Sequence, residues 1–398
     1  MTNRSDWELV RIKDIGTVKT GRTPPTVVAS NFGDEYLFIT PSDMDGRKKI
    51  YDTERKVSSL GASVLASCQL PANSICVSCI GWQMGKVVMT TQTCFTNQQI
   101  NTIIPNDKIL PDFLYYSLST RREEFKTLGS VGTRTPILKK SLFENLGIYL
   151  PPLPIQRKIA AILSTYDRLI ENNTRRIEIL EEMARSIYRE WFVKFRFPGH
   201  EQVQMVDSEL GPIPEGWEIK KVNEIVKRLR TGTTYKEASV DEVGCVPVID
   251  QSRSDFLGFH NNKPDHTASS ENPIIIFGDH TCKMQLMVEN FSLAPNVVPF
   301  VSIGNLPITY LYLLVNSLVT TTEYKRHWTE FTNKKVVLAT NDSPKQFADF
   351  VKTIFEINNS LRKKNRNLRK TRDLLLPRLI SGEIDVENLD IKTGETAA

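Results

Sequence analysis

The stretch Trp7-Glu-Leu-Val-Arg-Ile-Lys-Asp-Ile15 returns in the second half of the chain as Trp217-Glu-Ile-Lys-Lys-Val-Asn-Glu-Ile225. Each copy runs into a glycine turn, Thr20-Gly21 in the first and Thr231-Gly232 in the second. A repeat spanning half the chain is much longer than a solenoid unit, so it reads as a duplicated domain rather than an array. Within each copy, short apolar runs are broken by Pro, Gly, Asn and Asp. The runs Ser74 to Ile80 and Pro273 to Phe277 have the composition of buried strands. A long helical pattern follows each copy. The expected architecture is therefore α+β: two similar mixed α/β domains separated by two long helices. With 398 residues, 40% of them apolar, each half has enough side chains for a core. Pro198, Gly199, Gly211, Pro212, Pro214 and Gly216 interrupt any helix between the halves and read as a linker. The expected boundaries are 1–152 and 217–343 for the domains, 153–196 and 344–384 for the helical regions, 197–216 for the linker, and 385–398 for a tail.

Both helical regions carry a seven-residue period. In the first, Tyr166, Ile170, Asn173, Ile177, Leu180, Ala184, Ile187 and Trp191 alternate steps of four and three. In the second, Phe350, Ile354, Ile357, Leu361, Lys364, Leu368, Thr371 and Leu375 do the same. Narrow seams of this kind suit an antiparallel coiled coil between the two helices, with Asn173, Lys364 and Thr371 as polar positions that set register. Ordinary amphipathic helices, each lying on its own domain, are the other reading. About 25 helical residues at ~1.5 Å each span roughly 38 Å, close to one turn of B-DNA. The second helix also carries seven cations and no acid from Arg362 to Arg372. Such a run fits phosphates, an acidic partner or simply a solvated face.

The net charge of +5 suits a polyanionic partner without requiring one. Cys68, Cys76, Cys79, Cys94, Cys245 and Cys282 form no dense framework, the start has no apolar signal run, and no stretch is long enough to span a membrane. A reducing cytoplasm is expected. Enzymatic signatures are missing too. The sequence has neither a Gly-x-x-x-x-Gly-Lys-Ser/Thr phosphate loop nor an Asn-Pro-Pro-aromatic motif for adenine methylation. Cys76 and Cys79 form a C-x-x-C with no second pair at zinc spacing, and on a strand they read as structural thiols.

Gly129 to Ile137, Leu150-Pro-Pro-Leu-Pro-Ile-Gln156, Phe195 to Gly199, Leu210 to Trp217 and Leu374 to Ile384 then follow in order on this tandem layout. In that arrangement the chain resembles the specificity subunit of Type I restriction-modification enzymes along nearly its whole length. The resemblance implies two target-recognition domains, each reading one half of a split duplex DNA target. It implies spacer helices that bind modification subunits, and chain ends lying close together. No cofactor is expected in this chain: S-adenosylmethionine would serve the modification subunits, and ATP with magnesium a restriction (motor) subunit. The chain itself would be non-catalytic. A coiled-coil scaffold with two protein-binding heads, or a methyltransferase or nuclease with an unrecognised centre, are the alternatives. The second half departs from the pattern, offering only Ser343-Pro-Lys-Gln346 for the first half's Pro-Leu-Pro-Ile-Gln and no clean counterpart of the Gly129 turn.

Readout of DNA needs Arg, Lys, Asn or Gln at base edges and small polar groups at phosphates. In the first domain the candidates are Ser130, Thr133 and Arg134 on the Gly129 turn, Gln83 and Lys86 on a glycine-bounded loop, and Asn97 and Gln98. In the second they are Gln251, Arg253, His280, Thr281, Lys283 and Lys334. For each, a purely structural turn or a solvated surface is the competing reading.

Overall fold

A computed structural model describes residues 7–130, 135–241, 243–252, 256–321, 323 and 325–391. The chain is mixed α/β and divides into two compact units, Met1–Asn172 with Asn365–Ala398, and Asn173–Lys364. No helix among the described residues is long and apolar enough to cross a membrane.

In the first unit, β1 (Glu8–Arg11) turns through residues 12–14 into β2 (Gly16–Thr20). The turn forms because Ile12 and Ile15 bury their side chains while the Arg11 N–H donates to Asp14 Oδ2 at 3.2 Å. β3 (Phe32–Ile39), β4 (Lys49–Ile50), β5 (Lys56–Val57), α1 (Ser59–Val64), β6 (Ile75–Ser78), β7 (Val87–Thr90), β8 (Cys94–Thr96) and β9 (Ile100–Pro105) follow. They make a five-stranded sheet, β2-β9-β6-β7-β4, and a three-stranded one, β5-β3-β8. Next come α2 (Pro111–Ser119), α3 (Arg122–Gly129), α4 (Lys140–Glu144) and β10 (Gly147–Leu150), which returns to pair antiparallel with β1. The core gathers Ile75, Val77, Ile103, Phe113, Leu114, Phe125 and Phe143.

The long helix α5 (Leu153–Tyr188) ends in a π-helical turn over Arg189–Val193. Its Ile159 and Leu163 complete the core of the first unit.

Within the second unit, β11 (Met205–Val206) and β12 (Ile213–Pro214) form a small ribbon inside the stretch expected as a linker. That stretch is anchored: Phe197 and Ile213 are buried, and the Phe197 ring stacks on Trp217 at 5.2 Å. β13 (Glu218–Lys221), α6 (Val222–Ile225) and β14 (Val226–Arg228) repeat the opening of the first unit, with the Lys221 N–H donating to Glu224 Oε2 at 2.6 Å. β15 (Val246–Ile249), β16 (Gly258–His260), β17 (Ile274–Gly278), β18 (Met284–Met287), β19 (Ser292–Leu293) and β20 (Val297–Ser302) make sheets ordered β14-β20-β17-β18 and β16-β15-β19. These are the orders β2-β9-β6-β7 and β5-β3-β8 over again, including a parallel β3–β8 pair matched by a parallel β15–β19 pair. The two units share one topology. α7 (Ile308–Val315) takes the place of α2 in chain order, and β21 (Lys335–Leu338) pairs with β13 as β10 does with β1. Where the first unit has α3 and α4, the described residues of the second form α8 (Trp328–Asn333).

The last helix is α9 (Ser343–Ile380). In the second unit its Phe347 and Val351 join Ala184 of α5 in the core, and Arg362 bonds Glu181 of α5 at 2.6 Å. In the first unit Asn365 donates to the Ile170 carbonyl at 3.3 Å, and Arg372 bonds Asp167 at 2.6 Å. Within the first unit, partners on α5 fall from Ile170 to Asp167 as those on α9 rise from Asn365 to Arg372, so the two segments run antiparallel there.

The heptad written on α9 needs a correction. Ile354, Leu361, Leu368 and Leu375 keep their inward places, but Ile357 is 38% and Phe350 62% exposed, and Lys364 and Thr371 also face water. The inward alternates lie one residue later, at Val351, Asn358, Asn365 and the half-buried Arg372. The row through Asn358 lies inward although it is the more polar one, because Asn365 and Arg372 find partners on α5 that offset their burial. On α5, Ile170, Ile177 and Ala184 are buried, and Asn173, Leu180 and Ile187 are half-buried.

Candidate nucleic-acid interface

In the first unit three of the candidate loops meet at the end of β6. The Cys79 N–H donates to the Gln99 carbonyl at 2.7 Å, and the Leu138 N–H donates to the Cys79 carbonyl at 2.8 Å. The loop between β6 and β7 is fixed from several sides. The Gly81 N–H donates to the Pro136 carbonyl at 2.9 Å, the Gly85 N–H to the Ser78 carbonyl at 2.8 Å, and the Ser78 hydroxyl to the Gln83 carbonyl at 2.7 Å. Gly81 and Gly85 both adopt positive φ, +87° and +82°, which the tight turn requires. Met84 is fully buried beneath the turn, so close to Gly129 that a Cβ there would meet its Sδ at 2.7 Å. The Gly129 turn and the Gly81 loop are therefore neighbours.

Gln83 is exposed and its Oε1 accepts from the Lys86 ammonium at 3.1 Å. Lys86 also donates to the Pro41 carbonyl at 3.2 Å. Burial, and then the Arg122 guanidinium, pull the Lys86 pKa below the usual lysine range, with Asp45 opposing them. Asn97 is buried and spends its side chain on the Gln99 backbone and side chain, so it holds the turn. Gln98 is exposed and accepts from the Thr23 hydroxyl at 2.7 Å. Ser130 is exposed, its hydroxyl closing α3 on the Lys126 carbonyl at 2.7 Å. Thr133 and Arg134 lie outside the described residues.

In the second unit Gln251, His280, Thr281 and Lys283 are brought together in one knot. Gln251 Oε1 accepts from the His280 N–H at 2.9 Å, and its carbonyl accepts from the Thr281 hydroxyl at 2.7 Å. The Lys283 ammonium donates to the Ser252 carbonyl at 2.7 Å, and His280 Nδ1 lies 3.0 Å from the Lys325 carbonyl. Gln251 thus shapes the loop, and Thr281 spends its hydroxyl proton inside it. The knot occupies the turn between β17 and β18, the counterpart of the turn between β6 and β7. Lys334 lies instead at the end of α8, 3.6 Å from Glu330. Arg253 lies outside the described residues.

Three residues of this region escaped the sequence reading. Asp279 is buried and accepts from the His327 and Trp328 N–H groups at 3.0 and 2.8 Å, capping α8. Arg122, on α3, donates to the Met84 carbonyl at 3.4 Å. Trp82 stands at the tip of its loop with 82% of its surface exposed. The Asp279 cap had no local signal, since its helix starts far along the chain. The flanking glycines were the available signal for Trp82.

Cys76 and Cys79 are both buried, and burial pushes each thiol up to about 12. They are neutral thiols at neutral pH, on and just beyond a core strand.

The domain described as "Type I restriction modification DNA specificity domain" matches residues 4–182. The Type I restriction enzyme MjaIX specificity subunit of Methanocaldococcus jannaschii is 28% identical, covering 96% of this chain and 95% of its own length. The HindI specificity subunit of Haemophilus influenzae is 38% identical over 42% of this chain and 38% of its own. A crystal structure of a Type I restriction-modification S subunit from M. genitalium has the same fold, with a TM-score of 0.54 at 16% identity, covering 95% of this chain and 97% of that one.

Proposed function

We propose that this chain, like the Type I restriction-modification DNA specificity subunits it is similar to, reads a bipartite duplex DNA target without performing chemistry itself. The observation that carries this reading is the duplicated topology, in which corresponding strands, β6 and β17, each lead into a turn with polar or cationic side chains, Gln83 and Lys86 in one and His280 and Lys283 in the other. One recognition domain, within 1–152, reads one half of the target; the other, within 217–343, reads the second half. Direct readout falls to Gln83, Gln98, Ser130, His280 and Lys283, together with Thr133, Arg134 and Arg253, which lie outside the described residues. Lys86 and Lys334 serve phosphates, while Asn97, Gln251 and Thr281 hold the loops in shape.

α5 and α9 form an antiparallel coiled coil that acts as the spacer; the Arg362–Glu181 and Arg372–Asp167 bonds support it. The partners are duplex DNA, modification subunits that supply S-adenosylmethionine-dependent adenine methylation, and a restriction subunit that uses ATP and magnesium, all in the cytoplasm.

Exchanging residues 1–150 for the matching domain of a relative tests the reading. Methylome sequencing of cells expressing the hybrid with the modification subunit should show one half of the methylated target changed and the other intact. A change in both halves, or in neither, overturns the two-headed assignment. Methyl transfer by the purified chain alone would show a catalytic centre instead.

A further inference from the structure

A side chain as large as tryptophan gains more from burial than almost any other, yet Trp82 keeps 82% of its surface in water. Its loop is not loose. Met84 is sunk into the core behind it, and Gly81, Gly85 and Ser78 tie both flanks to neighbouring backbone. The indole is therefore presented from a fixed platform, a costly arrangement that folding alone does not need. Two cations belong to the same loop region: Lys86 closes the loop, and Arg122 donates to the Met84 carbonyl at 3.4 Å; burial, and then Arg122, weaken the hold of Lys86 on its proton. An anion placed between them relieves that repulsion.

We propose that Trp82 is a base-stacking wedge, its indole entering the groove at one step of the half-site read by the first unit while Lys86 and Arg122 take the adjoining phosphates. The proposal rests on the DNA-reading function above. A flat uncharged ring can partly unstack a base step and kink the duplex, and the cost depends on the step. The wedge would thereby add specificity without a hydrogen bond to a base edge. It belongs to one half only: the matching turn of the second unit, 279–283, contains no Trp, Tyr or Phe. The kink should be correspondingly one-sided.

The test uses the chain assembled with its modification subunit and the duplex target found by methylome sequencing. The difference in emission between wild type and W82F isolates Trp82, and acrylamide reports its accessibility. The indole should be open in the assembled complex before DNA is added, and quenched and shielded by the target duplex. W82A should lose about tenfold in target affinity, with W82F retaining most of it, as ring stacking predicts. A complex that binds its target in a salt-dependent way while Trp82 stays open to acrylamide overturns the wedge and leaves DNA reading intact. Shielding by the modification subunit before any DNA is present makes Trp82 a protein contact and also overturns it. A complex that binds no duplex overturns both readings.

Discussion

Asp167 on α5 accepts from Arg372 on α9 at 2.6 Å through Oδ1, and from the Tyr116 hydroxyl of α2 through Oδ2. The same hydroxyl accepts from the Lys48 ammonium at 3.1 Å, and Lys48 is itself paired with Asp112 and bonded to Ser164 at 3.0 Å. Lys48 and Arg372 are thereby paired with Asp112 and Asp167 inside the first unit, while the exposed Asp373 also bonds Arg372 at 2.9 Å. Burial, followed by the charge of Asp167, drives the Tyr116 pKa far upward, so the phenol stays a donor. Groups taken out of water in this way are tolerated because each has partners, and removing one strands the rest.

Arg372→Met should therefore lower stability by about 2–4 kcal/mol in urea unfolding. Arg362→Met, which breaks the Glu181 pair between the same two helices, should cost less than about 1 kcal/mol. The difference follows from exposure: the Arg372–Asp167 side chains are 23% and 15% exposed, the Arg362–Glu181 side chains 48% and 32%. Equal losses from the two variants would show that the internal cluster contributes nothing special.

The seam of α9 offers a second comparison. Leu361 is 4% exposed and Ile357 38% exposed, although both are apolar residues of the same helix. Leu361→Lys should destabilise by about 3 kcal/mol or more, since a lysine there must bury or expel its charge. Ile357→Lys should change stability by less than about 1 kcal/mol. Circular-dichroism melts of the two variants decide it, and a severe Ile357→Lys phenotype would reinstate the other heptad row.

Cys76 and Cys79 should resist iodoacetamide in the folded chain at pH 8, while the exposed Cys245 reacts. Their folded-state pKa of about 12 lies above the ordinary 9.0, so the fold favours the neutral thiol. That preference costs nothing below pH 9, where the unfolded thiol is also protonated. Stability is then lost as pH climbs from about 9 to about 12, because the unfolded chain sheds protons that the native one keeps. Replacing both cysteines with alanine should flatten this alkaline decline; an unchanged slope would assign it to other groups.

Lys86→Ala should weaken binding to target and unrelated duplex alike, and reduce the slope of log affinity against log salt by about one. A loss confined to the target sequence would move Lys86 from a phosphate to a base edge. Fluorescence anisotropy over a salt series separates the two.

What could be read along the chain was whatever repeats or alternates locally. The match of Trp7–Ile15 to Trp217–Ile225 pointed to two copies of one domain. Both segments do form a strand and a helical turn, capped by Asp14 and Glu224, because strand alternation and capping involve neighbours in sequence. The seven-residue period of the two helices was equally legible. Its phase on α9 was not. Asn358, Asn365 and Arg372 occupy inward positions that a count of apolar residues assigns to Ile357, Lys364 and Thr371. For Asn365 and Arg372 the compensation comes from Ile170 and Asp167, which no local pattern connects to them. The same holds for the knot of Gln251 with His280 and Thr281, and for the Asp279 cap on α8. Hydrophobic periodicity is a property of one segment. Whether a polar group can afford to be inside depends on a partner that only the folded chain brings within hydrogen-bonding distance.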